Sequence, residues 1–204
     1  MSKLYFRYAA MNAGKSTLLL QAAYNYAERG MEFKLFTAEL DNRNGVGVIS
    51  SRLGIQRAAL TYYRDTDFDQ SVLDAATVCL FIDEAQFLTA SQVQQLHRLA
   101  HASKVPIIYY GLRTDFMGRP FEGAATLLAL ADDLQELKAI CDCGKKASIN
   151  ARLDSASRRV FSGAQILIGG NGKYLSMCPD CFYRETPAAR QGLRPRQTAT
   201  EDAS

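Results

Sequence analysis

Residues 9–16 read Ala9-Ala10-Met11-Asn12-Ala13-Gly14-Lys15-Ser16, a loop-like run that closes on Gly-Lys-Ser. Between a strand and a helix, such a run suits phosphate, because the free N–H groups of a helix start cradle oxyanions and the helix dipole adds attraction. Lys15 is then placed to reach the β- and γ-phosphates of a nucleotide, and the Ser16 hydroxyl to bind Mg²⁺. Ala9 stands where the usual pattern has its first glycine. A chance Gly-Lys-Ser at a helix start is the competing reading, and the strand-loop-helix order weighs against it.

Two acids form the next constellation. Asp83 and Glu84 end the apolar run Val78 to Ile82, and ligands of open α/β sheets bind at the carboxyl ends of strands. If the strand runs on, neighbouring carboxylates point to opposite sides and can take different jobs. Asp83 suits a metal and its water shell, and Glu84 suits a general base toward an attacking hydroxyl. An acidic pair at a helix N-terminus is the alternative, although Thr89 offers a better cap a few residues on. Phosphoryl transfer also calls for a cation near the moving group, and the loop residues Arg43 and Arg113 are the candidates.

Cysteines supply the third. Cys141-x-Cys143 and Cys178-x-x-Cys181 are close pairs separated by 34 residues, an arrangement suited to a tetrahedral Cys₄ zinc site that leaves no position open for water. Its role is therefore structural, bracing both ends of the excursion between the pairs. A redox dithiol is the rival reading, but neither pair lies at a helix start after a strand. Cys79, inside the apolar run, reads as core. His97 and His101 lie four apart on a helix with no acid or cysteine to complete a site, and read as a solvated face.

These groups need a frame. Lys3 to Tyr8 alternates like a short strand, and Leu18, Leu19, Ala22, Ala23 and Tyr26 then share one face of a helix that Gly30 terminates. Phe33 to Ala38 completes a strand-helix-strand unit and implies a parallel sheet. Asp41 to Gly54 reads as loop. Val78 to Ile82 reads as a strand buried on both faces. Thr89 with Gln92 predicts a capping-box start for a helix to about His101. Pro106 to Tyr110 is the next strand, Gly111 to Gly123 a long loop, Ala124 to Ala131 a helix and Leu134 to Ile140 a strand. At Cys141 this alternation gives way to paired cysteines, short strand-like runs and glycines. The expected division is a nucleotide-binding α/β domain over 1–140, a zinc-braced lobe over 141–185, and a polar tail over 186–204.

The chain has 204 residues, 48% apolar and 22% charged, with a formal charge of +3. Those are globular values with room for a hydrophobic core. No basic stripe advertises a nucleic acid, no stretch reaches the length of a membrane span, and the N-terminus lacks a signal peptide. A cytoplasmic protein is expected, its cysteines reduced. By themselves the residues support an ATP-dependent phosphotransferase or ATPase with a zinc-braced lobe. A nucleic-acid-dependent ATPase and a non-catalytic nucleotide sensor stay open as rivals.

Taken together, Met11 to Ser16, Asp83-Glu84-Ala85-Gln86-Phe87, Tyr110 to Phe116 and the four cysteines resemble the bacterial, zinc-containing thymidine kinases of the P-loop type, over about residues 3–183. The resemblance implies a RecA-like parallel sheet flanked by helices, with a small zinc-braced lasso lobe. It implies that Ala9, Ala10, Met11, Asn12, Ala13, Gly14, Lys15 and Ser16 bind ATP together with Asp83, Glu84, Ala85 and Gln86, and that Glu84 is the catalytic proton acceptor. Asp41 and Arg43 match an Asp-x-Arg loop near Mg²⁺ and the phosphates, where Ser16 and Asp83 also belong. Met11, Leu112, Phe116, Gln165, Ile166, Leu167, Ile168, Gly169 and Tyr174 match the thymidine pocket, with Phe116 packing on the base. Cys141, Cys143, Cys178 and Cys181 match the ligands of structural Zn²⁺. Members of the family use Mg²⁺, form homotetramers and are inhibited by thymidine triphosphate. Asn150 departs from residues that relatives carry in the pocket wall, which bears on base selectivity.

Overall fold

The computed structural model describes residues 3–43, 45–166 and 174–184. In chain order its elements are β1 (Leu4–Tyr8), α1 (Lys15–Glu28), β2 (Phe33–Ala38), β3 (Val48–Ser50), β4 (Gln56–Ala58), β5 (Leu60–Tyr62), β6 (Cys79–Ile82) and α2 (Ala90–Ser103). They continue with β7 (Ile107–Gly111), α3 (Glu122–Leu130), β8 (Asp133–Glu136), β9 (Ala139–Ile140), β10 (Lys146–Ala147), β11 (Ile149–Leu153), β12 (Arg159–Val160), β13 (Tyr174–Met177) and α4 (Pro179–Arg184).

Six strands form one sheet in the order β5-β2-β6-β7-β1-β8. Every neighbouring pair in it is parallel. Parallel strands are covered on both faces, so their side chains divide between two cores. In β6, Leu80 and Ile82 join the layer packed under α2 and α3, whereas Cys79 and Phe81 join the layer under α1. This alternation is why the run reads as apolar throughout.

Local chemistry sets the helix ends. Thr89 Oγ1 accepts from Gln92 N–H at 3.1 Å, and Gln92 Oε1 accepts from Thr89 N–H at 3.0 Å, which closes the capping box. Gly30, at φ +65°, takes the left-handed turn that ends α1.

Three expectations need correction. Cys178 does stand at a helix start after a strand, between β13 and α4, so what sets the dithiol reading aside is the convergence of four cysteines and not the setting of the pair. The segment 41–54 is not wholly loop: β3 pairs antiparallel with β4, and β5 then adds a short edge strand beside β2. Three-residue strands are too brief to show a period, and only their pairing reveals them. The stretch from Leu134 to Ile140 is not one strand but two, because β8 closes the main sheet while β9 turns away to pair with β10.

Beyond β8 the chain builds a small lobe from the β9–β10 pair, the sheet β12-β11-β13 and α4. Its core joins Ala139, Ala147, Ala151, Met177 and Phe182 to Ala10 of the loop after β1.

Candidate active site

Loops following β1, β6 and β7 leave the carboxyl edge of the sheet side by side and face a cavity of about 1190 Å³. On one side lie Met11, Asn12, Ala13, Gly14, Lys15 and Ser16. Two residues there hold left-handed backbone, Asn12 at φ +66° and Gly14 at φ +77°, which bends the chain around the mouth of α1. Ala9 does not share that conformation, so a methyl group is accommodated where the pattern has glycine. It is buried with Ala10 behind the loop, its N–H donating to Gly111 O at 3.2 Å.

Asp83 and Glu84 line the same cavity as Lys15. Strand alternation is not what separates the two acids. β6 stops at Ile82, and Glu84 turns into left-handed backbone at φ +51°, opening the 3₁₀ turn Ala85–Phe87. Tyr62 on the edge strand secures that turn, its hydroxyl donating to Glu84 O at 2.8 Å. The carboxylates therefore diverge: Asp83 Oδ2 accepts from Ser16 Oγ at 3.1 Å, while Glu84 accepts from Arg43 at 2.8 Å and from Gln86 Nε2 at 2.5 Å. The amide of Gln86 is oriented in turn by Leu112 N–H, which donates to its Oε1 at 3.0 Å. Ala85 is buried behind.

Of the two loop arginines, the fold brings in one. Arg43 binds both carboxylate oxygens of Asp41, at 2.5 and 2.9 Å, and bridges them to Glu84. Arg113 turns to the other side of its loop, 3.8 Å from Glu136 and over the Tyr8 ring.

Burial raises the Asp83 carboxyl to about 7, and the charge of Glu84 pushes the same way. Burial lowers the Lys15 ammonium, opposed by the charges of Glu84 and Asp83. Hydrogen bonding to Asp41 raises the Arg43 guanidinium further, keeping it charged. The site thus holds a lysine and two carboxylates together at a desolvation cost that a bound counter-charge would offset.

The far wall carries Leu112, Phe116, Gln165, Ile166 and Tyr174. Leu167, Ile168 and Gly169 lie outside the described residues. Gln165 Nε2 donates to buried Asp115 at 3.1 Å, tying this wall to the loop after β7. Behind Phe116 stands Arg152, its guanidinium 3.7 Å from the ring centroid. Its Nη1 and Nη2 donate to Ala164 O and Ser162 O at 2.9 and 3.2 Å. Neither Asp115 nor Arg152 was legible as a site residue, since each acts through contacts the chain makes only when folded.

The four cysteines converge. Sγ atoms of Cys141, Cys143, Cys178 and Cys181 all lie within 4.8 Å of one another, with Cys143 and Cys178 3.6 Å apart. A tetrahedron of thiolates about 2.3 Å from zinc has edges of about 3.8 Å, so the cluster fits a Cys₄ zinc site. Gly144 at φ +83° makes the tight turn behind the first pair, its N–H donating to Cys141 O at 2.8 Å. Among the described residues this is the one group of three or more His, Cys, Asp or Glu side chains close enough to share an ion, and His97 and His101 do not belong to it. Cys79 is fully buried core.

A carboxylate pair and a helix-start lysine lining one cleft of a parallel sheet is a layout shared by α/β kinases and ATPases. Comparison with known proteins narrows the class. The thymidine kinase family model matches residues 2–182. A thymidine kinase of Albidiferax ferrireducens is 62% identical over 186 residues, covering 91% of this chain and 94% of the relative. Thymidine kinases of Chromobacterium violaceum and Agrobacterium fabrum are 52% and 50% identical, covering 91% and 87% of this chain and 100% and 94% of theirs. The chain belongs to the thymidine kinase family.

Proposed function

We propose that the protein transfers the γ-phosphoryl group of ATP to the 5′-hydroxyl of thymidine, supplying thymidine monophosphate for DNA synthesis by salvage. The observation that carries this reading is the convergence of Lys15 and Glu84 on one cavity, in a chain of this family. The loop 9–16 holds the triphosphate, with Lys15 on its outer phosphates. Asp83 through Gln86 complete the donor side. Glu84 takes the proton from the 5′-hydroxyl as its oxygen bonds to the γ-phosphorus and the bond to the β,γ-bridging oxygen breaks, leaving ADP. Arg43, held by Asp41, steadies Glu84 and faces the moving phosphoryl group.

Ser16 and Asp83, with Asp41 nearby, are the residues that would hold Mg²⁺. That ion neutralises phosphate charge when bound. The four cysteines would hold zinc as a structural brace, and the small lobe that begins at β9 closes the acceptor side of the sheet domain. Thymidine lies against Phe116 and Tyr174 between Met11, Leu112, Gln165 and Ile166, which line the same cavity. Deoxyuridine is a second acceptor, since one methyl group discriminates by only about 1–3 kcal/mol.

The reading extends to a cytoplasmic homotetramer inhibited by thymidine triphosphate, with neither nucleic acid nor membrane as partner. Among the described residues, no helix is long and apolar enough to cross a membrane. The deciding experiment offers the protein Mg·ATP with a panel of nucleosides or a polynucleotide. Phosphorylation of thymidine and deoxyuridine, with purine nucleosides untouched, is expected. ATP consumption that needs polynucleotide and ignores thymidine would sink the reading.

A further inference from the structure

The backbone of Met11 is gripped from outside its own loop on both polar atoms. Its N–H donates to Asn150 Oδ1 at 2.7 Å, and its carbonyl accepts from Ser176 Oγ at 2.7 Å. Asn150 and Ser176 are register partners across β11 and β13, so both bonds come from one cross-strand pair of the small lobe. Both side chains are buried, 3% and 8% exposed. The neighbouring residue Ala10 packs into the core of the same lobe, beside Ala151 and Met177. Polar and apolar contacts thus fasten two consecutive loop residues to one sheet.

The loop has reason to need this. Immediately after Met11 the chain enters left-handed backbone at Asn12, and does so again at Gly14. Asparagine adopts this conformation more readily than other non-glycine residues, though still at a cost that surrounding contacts must offset. Yet N–H groups that receive phosphate must be held to within about half an ångström of their working positions. A buried pair of hydrogen bonds at Met11 fixes where that bend begins. Cys178 lies two residues past Ser176, so the strand that grips the loop is itself anchored by the cysteine cluster.

We propose that Asn150 and Ser176 are positioning residues for the ATP phosphates: the cysteine lobe, which walls the acceptor side of the cavity, also sets the geometry of the donor loop. This rests on the assignment of residues 9–16 as the phosphate loop. Ser176 is the informative residue because it is not among those lining the cavity, whereas Asn150 is. Donor affinity is thereby governed by a side chain that meets neither substrate.

The test measures Mg·ADP and thymidine binding by calorimetry on the full chain with its zinc content verified. Ser176→Ala should weaken Mg·ADP by roughly three- to tenfold, the range for losing one buried hydrogen bond. Met11 also borders the thymidine pocket, so thymidine affinity should fall too, but by less than that of Mg·ADP, whose N–H cradle begins at the bend that Met11 starts; the ratio of the two affinities is the readout. Ser176→Cys keeps the size with a weaker donor and should fall between wild type and alanine. If the alanine protein does not fold, the cysteine protein decides by the same ratio. Lys15→Met separates the two layers of inference. Loss of Mg·ADP binding in Lys15→Met with Ser176→Ala at wild-type affinity overturns the positioning role alone. Mg·ADP binding that survives Lys15→Met overturns the phosphate-loop assignment beneath it. Parallel losses of both ligands, tracking zinc or melting temperature, would show that Ser176 only supports the lobe, and would equally overturn the proposal.

Discussion

Gly123→Ala tests how the turn that carries Glu84 is held. Gly123 lies in the first turn of α3, and a Cβ built there would sit 2.5 Å from Leu88 O, 2.8 Å from Ala85 O and 3.2 Å from Gln86 O. All three are backbone atoms of the segment that follows Glu84, so no flexible side chain can swing aside. With ordinary contact beginning at 3.4 Å, the turn or the helix must retreat by about 0.9 Å. Alanine gains about 0.5–1 kcal/mol of helix propensity over glycine. Overpacking costs about 1–3 kcal/mol, so the clash prevails. Net of that gain the loss is about 0–2.5 kcal/mol, which for a chain of this size lowers the melting temperature by up to about 10 °C. The catalytic consequence is larger than the stability loss suggests. The turn bears Glu84 and the Gln86 amide that fixes it, and misplacing a reacting group by about 1 Å can cost 10²-fold. We expect kcat to fall by roughly 10- to 10²-fold with zinc content unchanged, read from steady-state kinetics alongside thermal melts. A lower melting temperature with kcat within twofold of wild type would show that the helix yields instead of the turn. A higher melting temperature would remove the clash altogether. Either result refutes the argument.

The other predictions bear on single groups. Glu84→Gln should bind ATP and thymidine nearly as wild type while turnover drops by roughly 10²-fold or more, and unchanged turnover contradicts the proton-acceptor role. For Asp83, burial lifts the folded carboxyl to about 7 from an unfolded value near 3.9. The folded state then holds more protons than the unfolded one between those values, so Asp83 lowers stability progressively as pH rises from about 4 to 7. Melts without nucleotide or magnesium should show Asp83→Asn raising the melting temperature at pH 8 and hardly at pH 4, while abolishing activity; an equal shift at both pH values defeats that account. Cys178→Ser should lose zinc and open the 141–184 lobe to protease, and full zinc with normal protease resistance would contradict the metal assignment. Arg152→Met removes the guanidinium over Phe116 and its bonds to Ala164 and Ser162. It should raise the KM for thymidine by roughly tenfold with the KM for ATP unchanged, and the reverse pattern would refute its place behind the base pocket.

How far the residues spoke for themselves follows from the range of the physics involved. Gly-Lys-Ser after a strand, paired acids ending an apolar run, and cysteines in two close pairs are local patterns, each tied to its chemistry by spacing of a few residues. Local pattern likewise announced β1 by alternation, α1 by helical spacing, β6 by an unbroken apolar run and α2 by its capping box. Residue type and loop setting alone do not separate Arg43 from Arg113; the resemblance marked Asp41-x-Arg43, and the fold brings Arg43 to Glu84 and Arg113 to Glu136. Tyr62, on a strand of three residues, becomes an anchor of Glu84 only once β5 docks beside β2. Gly123 reads as a loop residue, and its missing Cβ acquires meaning from carbonyls some 35 residues earlier in the chain. Ser176 and Asn150 meet Met11 across more than 130 residues. The chemistry of this protein was written in short motifs because reactive groups are defined by residue type. Which groups hold them still was settled by tertiary packing, since hydrogen bonds and close contacts between distant segments exist only in the folded chain.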